Sequence, residues 1–169
     1  MAATQYNVCL IDDDKIYQFT SRKILESTGL AKNILSFYNG SEAIGFFREK
    51  LTQGPHELPD VIFLDINMPM MTGFELISLI ENKTRVIITS AFREFAVESY
   101  DLNVLDYLLK PIPLPRFVKC INKITAEFNL KNNIKIENQR IDSHIFIKVD
   151  KKMIKINAQL VKLNERRLS

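Results

Sequence analysis

Short apolar runs alternate with longer amphipathic stretches along most of this chain. Five runs have strand length: "NVCLI" (7–11), "ILSFY" (34–38), "PDVIFLD" (59–65), "RVIITS" (85–90) and "DYLLK" (106–110). Consecutive apolar positions predict strands buried on both faces. Between them, residues 15–28 predict a helix with Ile16, Phe19, Thr20, Ile24 and Leu25 inward and Gly29 as its C-terminal cap. Ser41 is expected to cap a second helix running to about Leu51. Residues 73–80 predict a third helix and residues 93–102 a weaker fourth. Residues 115–128 predict a fifth with Phe117, Val118, Ile121, Ile124 and Phe128 inward. This alternation argues an α/β fold, a doubly wound five-stranded parallel sheet covered by helices on both sides.

After residue 142 the pattern changes. Ile145, Ile147 and Val149 alternate with polar residues at period 2, and "MIKI" (153–156) follows a turn around Asp150-Lys151-Lys152. A hairpin is expected, and a lone hairpin is marginal in water, so it needs a surface to dock on.

The strand ends carry the chemistry. In doubly wound sheets, sites lie beyond the carboxyl ends of the strands, at the point where the strand order reverses. The first strand is followed by Asp12, Asp13 and Asp14, and the third ends in Asp65 with Asn67 just beyond. The fourth ends in Thr89-Ser90 and the fifth in Lys110-Pro111. An ionised carboxylate at the end of a buried strand is costly unless it is paired. Two carboxylates about 4 Å apart repel by roughly 4 kcal/mol at an effective dielectric near 20. The cluster therefore calls for a cation, and an all-oxygen ligand set without Cys or His favours Mg²⁺. Asp65 can act as a nucleophile toward phosphorus, with Ser90 and Lys110 donating to the phosphoryl oxygens. Asp13 or Asp14 is also placed to cap the first helix.

Composition narrows the setting. The chain has 169 residues, 46% hydrophobic and 25% charged, an ordinary globular balance with no repeat or low-complexity segment. The opening "MAATQYNVCLIDDD" has neither the basic nor the apolar region of a signal peptide. No apolar run approaches a membrane span, so a cytoplasmic protein is expected. Cys9 and Cys120 are expected to be buried thiols, and His56 and His144 surface residues without a metal-ligand partner. Met68, Met70 and Met71 are expected to pack locally in the loop after Asp65. Residues 1–130 carry 13 Lys and Arg against 16 Asp and Glu, whereas residues 131–169 carry 10 against 4. An acidic body with a basic tail suggests two parts with different partners.

The ordered set "LIDDDK", "VIFLDINMPMMTG", "ITSAF" and "DYLLKPI" resembles the receiver domain of two-component response regulators, over residues 6–129. The resemblance implies the flavodoxin-like strand order 2-1-3-4-5. It implies Asp65 as phospho-acceptor from a sensor histidine kinase, and Asp12, Asp13 and Asp65 as Mg²⁺ ligands together with the Asn67 backbone carbonyl. It makes Ser90 and Tyr107 the switch residues, Lys110 the site lysine, and the Lys110-Pro111 bond cis. The chain is then no enzyme beyond accepting and losing its own phosphoryl group. Phosphorylation would alter the face made by helix 93–102, strand 106–110 and helix 115–128, and with it homodimerisation. The short spacing from Asp65 to Ser90 and "SAFREFAVESYDLNVLDYLLKPI" resemble receivers of the LytTR type, which precede a DNA-binding domain. "SHIFIKVDKKMIKIN" (143–157) resembles the opening strands of that domain, and "AQLVKLNERRLS" does not resemble its continuation. The expected organisation is a receiver (6–129), a linker (130–142) and a partial output segment or hairpin tail (143–169). DNA binding and transcription regulation are expected only with a complete output domain.

Two other functions fit parts of the pattern. A Mg²⁺-dependent phosphohydrolase using an aspartyl-phosphate would usually place a second Asp two residues after the nucleophile. Here that position is Asn67, which cannot shuttle protons. A phosphorylation-independent interaction module is the other, and the complete Asp12, Asp13, Asp65, Ser90, Lys110 set argues against it.

Overall fold

The computed structural model describes residues 5–69, 71–80, 83–98, 102–142, 144–149 and 152–157. It divides into two compact units, Met1–Lys123 and Ile124–Ser169.

The first unit is built on β1 (Tyr6–Ile11), β2 (Ala31–Phe37), β3 (Val61–Asp65), β6 (Arg85–Ser90) and β7 (Asp106–Leu109). Two short strands, β4 (Asn67–Met68) and β5 (Met71–Thr72), pair antiparallel in the loop after β3. The five main strands are all parallel, in the order β2-β1-β3-β6-β7. This is the 2-1-3-4-5 order of the flavodoxin-like fold. The chain leaves β1 toward one edge and returns to β3 toward the other, so the crevice forms at the ends of β1 and β3.

Connecting helices are α1 (Lys15–Ser27), α2 (Gly40–Gln53), α3 (Gly73–Leu79), α4 (Phe95–Glu98) and α5 (Leu114–Asp142). On one face of the sheet Cys9, Ile11, Ile62, Leu64 and Ile88 share a core with Ala43, Ile44 and Phe47 of α2 and Leu76 and Ile77 of α3. Alternate strand positions turn to the other face, where Phe63 stacks on Phe117 of α5 with ring centroids 5.4 Å apart. Cys9 and Cys120 are buried, and neither is in a disulfide. Burial pushes both thiols up, with Asp106 adding to the effect at Cys120.

Several local expectations need correction. On α1, Ile16 is 75% and Phe19 63% exposed, and Thr20 is also exposed. The inward side is led by Gln18 and Leu25, seven residues apart on one stripe. Gln18 is drawn in because its amide satisfies two strand-end carbonyls, Asp12 at 2.9 Å and Phe37 at 2.6 Å. Gly29 does follow the helix with φ +65°, the left-handed conformation of a helix stop. Asn39 rather than Ser41 caps α2, accepting the Glu42 N–H at 2.8 Å. Edge strand β2 is only partly buried, unlike β1, β3 and β6.

The inward stripe of α5 is Phe117, Cys120 and Ile121, and Ile124 is buried as well. Val118 is exposed and Phe128 half-buried. The helix continues through Asp142, so the residues expected as a linker are helical. No Gly or Pro interrupts it after Pro115. The weaker helix expected at 93–102 is described as helix over Phe95–Glu98, and residues 99–101 lie outside the described residues.

In the second unit, β8 (His144–Val149) and β9 (Lys152–Asn157) form the expected antiparallel hairpin, in register from His144↔Asn157 to Val149↔Lys152. Met70, the turn residues 150 and 151, and residues 158–169 lie outside the described residues.

Candidate functional site

Four strand ends deliver polar side chains to the crevice. Asp12 follows β1 and is buried, and its Oδ1 accepts the Asp14 N–H at 2.9 Å. Asp14 caps α1, accepting the N–H groups of Ile16 and Tyr17 at 2.8 and 3.3 Å. Asp13 is exposed at the rim. Asp65 closes the fully buried β3 and is itself buried, its Oδ1 accepting the Asn67 N–H at 2.8 Å. Carboxylate oxygens of Asp12, Asp13 and Asp65 all lie within 4.8 Å of one another.

Lys110 reaches into this cluster from the end of β7. Its ammonium lies 2.6 Å from Asp65 Oδ2 and 2.7 Å from Asp12 Oδ2, with all three side chains nearly excluded from solvent. The Lys110 N–H donates to the Ser90 carbonyl at 2.7 Å, and the Lys110-Pro111 bond is cis. Burial acts to lower the lysine's pKa, but its bonds to Asp12 and Asp65 and their charges raise it above the usual value. At Asp12, burial pushes the carboxyl up against the opposing pull of Lys110 and the Asp14 N–H, and the charge of Asp65 adds to the rise. One ammonium does not fully compensate three converging carboxylates. The donor set is all oxygen and Asp13 leaves its rim open to solvent, a fit for a hard divalent cation.

Ser90 is completely buried. Its Oγ accepts the Phe92 N–H at 3.1 Å and, in a longer contact of 3.4 Å, the side-chain amide of Asn67. With both lone pairs met by N–H donors, the hydroxyl proton is left to donate. Tyr107 is half-buried at the edge of the core, and its hydroxyl donates to the Phe92 carbonyl. A single residue, Phe92, thus joins Ser90 to Tyr107 through its two main-chain groups.

All seven expected residues, Asp12, Asp13, Asp65, Asn67, Ser90, Tyr107 and Lys110, therefore gather at the carboxyl edge of the sheet or one hydrogen-bonded step from it. Asn67 engages through its side chain as well as its main chain, which the sequence reading did not foresee. Tyr17, Gln18 and Phe92 also went unnoticed. Gln18 had a signal: a polar residue on the same stripe as Leu25, one turn after the cap.

The comparisons agree with this architecture. Residues 8–122 match the family model described as the response regulator receiver domain. The chain belongs to that family, whose members are the signal-receiving parts of two-component response regulators. An uncharacterized response regulatory protein of Shewanella oneidensis is 36% identical over 121 residues, covering 70% of this chain and 49% of that protein. The transcriptional regulatory protein BtsR of Escherichia coli is 30% identical over 123 residues, covering 71% of this chain and 48% of that protein. The chain spans about half the length of the curated relatives it matches.

Among solved structures, the response regulatory domain of protein MrkE from Klebsiella pneumoniae superposes with a TM-score of 0.64 at 27% identity, covering 73% of this chain and 98% of that one. A two-component response regulator from Cytophaga hutchinsonii gives 0.60 at 31% identity, over 72% of this chain and 98% of that one. Among the described residues no helix is long and apolar enough to cross a membrane.

Proposed function

We propose that this receiver accepts a phosphoryl group on Asp65 and uses it to switch a distant surface. The observation that carries the reading is the placement of Lys110 against Asp65 and Asp12, inside a knot of three carboxylates. A carboxylate at the end of a buried strand, held by one lysine and open at its rim, is a nucleophile positioned for an incoming dianion.

In the reaction, an Asp65 oxygen attacks phosphorus and forms the new O–P bond. The P–N bond to the imidazole of a sensor histidine kinase breaks, and its electron pair leaves with the ring nitrogen. With acetyl phosphate as donor, the leaving group is acetate. Asp12, Asp13, Asp65 and the Asn67 backbone carbonyl would hold Mg²⁺, which when bound supplies positive charge to offset the carboxylates and the phosphoryl oxygens. Lys110 and the Ser90 hydroxyl donate to those oxygens. The chain catalyses nothing beyond its own phosphorylation and dephosphorylation.

Switching follows from the Ser90–Phe92–Tyr107 connection. When Ser90 turns its hydroxyl to the phosphoryl group, the Phe92 peptide loses its anchor and Tyr107 its acceptor. Tyr107 then moves, and the face of α4, β7 and α5 changes, which alters homodimerisation. Incubation with acetyl phosphate and Mg²⁺ is expected to add one phosphate to the wild type and none to Asp65→Asn. Equal incorporation in both proteins refutes the reading.

We further assign the chain to the LytTR type, with the organisation receiver (6–129), linker (130–142) and LytTR-like output segment or hairpin tail (143–169). The β8–β9 hairpin supports this assignment, and a relative named as a transcriptional regulatory protein is in keeping with an output of that kind. DNA binding belongs to a complete output domain. A salt-dependent shift of duplex DNA by this chain tests how much of that activity it carries.

A further inference from the structure

The Lys110 ammonium has three N–H donors. Two directions are taken by Asp12 Oδ2 and Asp65 Oδ2. The ammonium also stands over the ring of Tyr17, 4.6 Å from its centroid. That is well inside the range over which the negative face of an aromatic ring attracts a cation. Tyr17 sits in the first turn of α1, where Asp14 accepts its N–H, so the cap that starts the helix also places the ring. It lines the same cleft as Asp65, Asn67 and Phe92.

A lysine is a point charge on a flexible four-carbon stem, and it has to be held to be useful. Carboxylates hold it in the resting protein, but phosphorylation changes one of them. Once Asp65 carries a phosphoryl group, its carboxylate becomes an acyl phosphate, and the negative charge moves outward onto the phosphoryl oxygens. The ammonium must follow that charge by a short distance without swinging out to solvent. Asp12 alone fixes a distance but not a direction. A ring face against the ammonium adds a non-directional hold that lets it shift between oxygens and disfavours its escape to solvent.

We propose that Tyr17 is a positioning residue for phosphoryl acceptance, its ring face holding the Lys110 ammonium over Asp65. The proposal rests on Asp65 being the phospho-acceptor. It requires the π face of the ring and not merely its bulk, so Phe should replace Tyr while Leu and Met should not.

Two measurements separate the parts. In the resting protein, the ε-methylene protons of Lys110, assigned through Lys110→Arg, should be shifted upfield by the ring current. That shift should persist in Tyr17→Phe and vanish in Tyr17→Leu and Tyr17→Met. With acetyl phosphate and saturating Mg²⁺, Tyr17→Phe should be phosphorylated within about twofold of the wild-type rate, and both aliphatic variants about three- to tenfold more slowly. A dispersed amide spectrum confirms that each variant is folded, and having two aliphatic variants guards against one failing. A wild-type rate in either folded aliphatic variant overturns the proposal, as does a Lys110 methylene at its ordinary position in the wild type. If even the wild type takes up no phosphate, the phospho-acceptor reading fails and the positioning role falls with it. The ring-current result still reports separately whether ring and ammonium meet.

Discussion

Arg116 grips Asp106 with two prongs, each 2.8 Å long, and so ties the last strand of the sheet to the start of α5. The same guanidinium donates to the Tyr107 carbonyl at 2.9 Å, and Lys123, two helical turns further on, stands 3.7 Å from the carboxylate. The clamp therefore braces the strand that carries Tyr107 and leads into Lys110.

The clamp should make stability acid-sensitive in a defined window. Burial raises the Asp106 pKa, but the Arg116 bonds, the Arg116 and Lys123 charges and the Tyr107 N–H outweigh it and hold the carboxyl below its usual range. A depressed carboxylate contributes stability that is complete above its unfolded pKa, about 3.9, and is lost as pH falls through the folded value. Asp106→Asn should therefore cost about 1 kcal/mol at pH 7, allowing for the partly solvated Arg116. Urea melts should show the gap to wild type closing below about pH 4. A gap that is constant from pH 7 to pH 3 contradicts this account.

Gln18 should prove a structural keystone despite its polarity. It is 4% exposed and bonds the carbonyls of Asp12 and Phe37, at the ends of β1 and β2. Gln18→Leu leaves both acceptors buried without that donor and should cost about 2–4 kcal/mol. Amide exchange should accelerate most at the ends of these two strands. A cost below about 0.5 kcal/mol shows that other donors reach the carbonyls.

Gln18 also marks where sequence reasoning stops. The apolar runs of β1, β3 and β6 announce themselves, since a strand buried on both faces leaves no other use for such a run. The carboxyl-edge rule then converts Asp12, Asp65, Ser90 and Lys110 from four scattered letters into one site. Helix faces are harder. Ile16 and Phe19 look like core by composition, yet the inner side of α1 is claimed by Gln18 because strand-end carbonyls need a donor, and no periodicity encodes that need. The same holds for Val118, displaced by Cys120 on α5, and for Asn39, whose capping depends on where the chain leaves β2. Contacts between distant residues, such as Asn67 with Ser90 or Tyr17 with Lys110, depend on tertiary placement and have no local signature.

Lys110 should be needed for stability as well as chemistry, and the first need should be met by metal. Removing the ammonium in Lys110→Ala leaves buried Asp12 and Asp65 without their counter-charge, a loss of about 3 kcal/mol for a broken buried pair. A divalent cation can restore part of that charge balance. Thermal melts should therefore show Lys110→Ala gaining more from millimolar Mg²⁺ than the wild type does, while its phosphorylation by acetyl phosphate stays slow. An equal Mg²⁺ response in the two proteins argues that the carboxylates do not hold the ion.

Gly73 is required by close approach. A Cβ built there would stand 2.8 Å from Ile66 Cα and 2.9 Å from its Cγ2. The Gly73 N–H also donates to the Ile66 carbonyl at 3.3 Å, so the start of α3 is stitched to the residue after Asp65. Gly73→Ala gains less than the helix-interior propensity of about 1 kcal/mol at this first helical position, and backbone must move to admit the methyl. The net should be a loss of about 1–3 kcal/mol in chemical denaturation, with slower phosphorylation as Asp65 and Asn67 shift. A more stable, fully phosphorylatable variant contradicts the close packing.

Thr89 and Ser90 are adjacent buried hydroxyls with opposite fates. Ser90 Oγ is tied to Phe92 and Asn67, whereas Thr89 Oγ1 meets no hydrogen-bond partner among the described residues. The two also face opposite sides of β6, since successive strand residues alternate. Thr89→Val removes a buried hydroxyl and keeps the shape, so it should be neutral or stabilising by up to about 1 kcal/mol. Its phosphorylation kinetics should be unchanged. Ser90→Ala should leave the metal ligands in place yet deprive the phosphoryl group of one donor. It should therefore still accept phosphate, more slowly, and lack the change in oligomer size proposed for the wild type on adding beryllofluoride, read by light scattering. If Thr89→Val blocks that change and Ser90→Ala does not, the hydroxyl that senses phosphorylation is Thr89, and the link through Phe92 to Tyr107 is not the route of the switch.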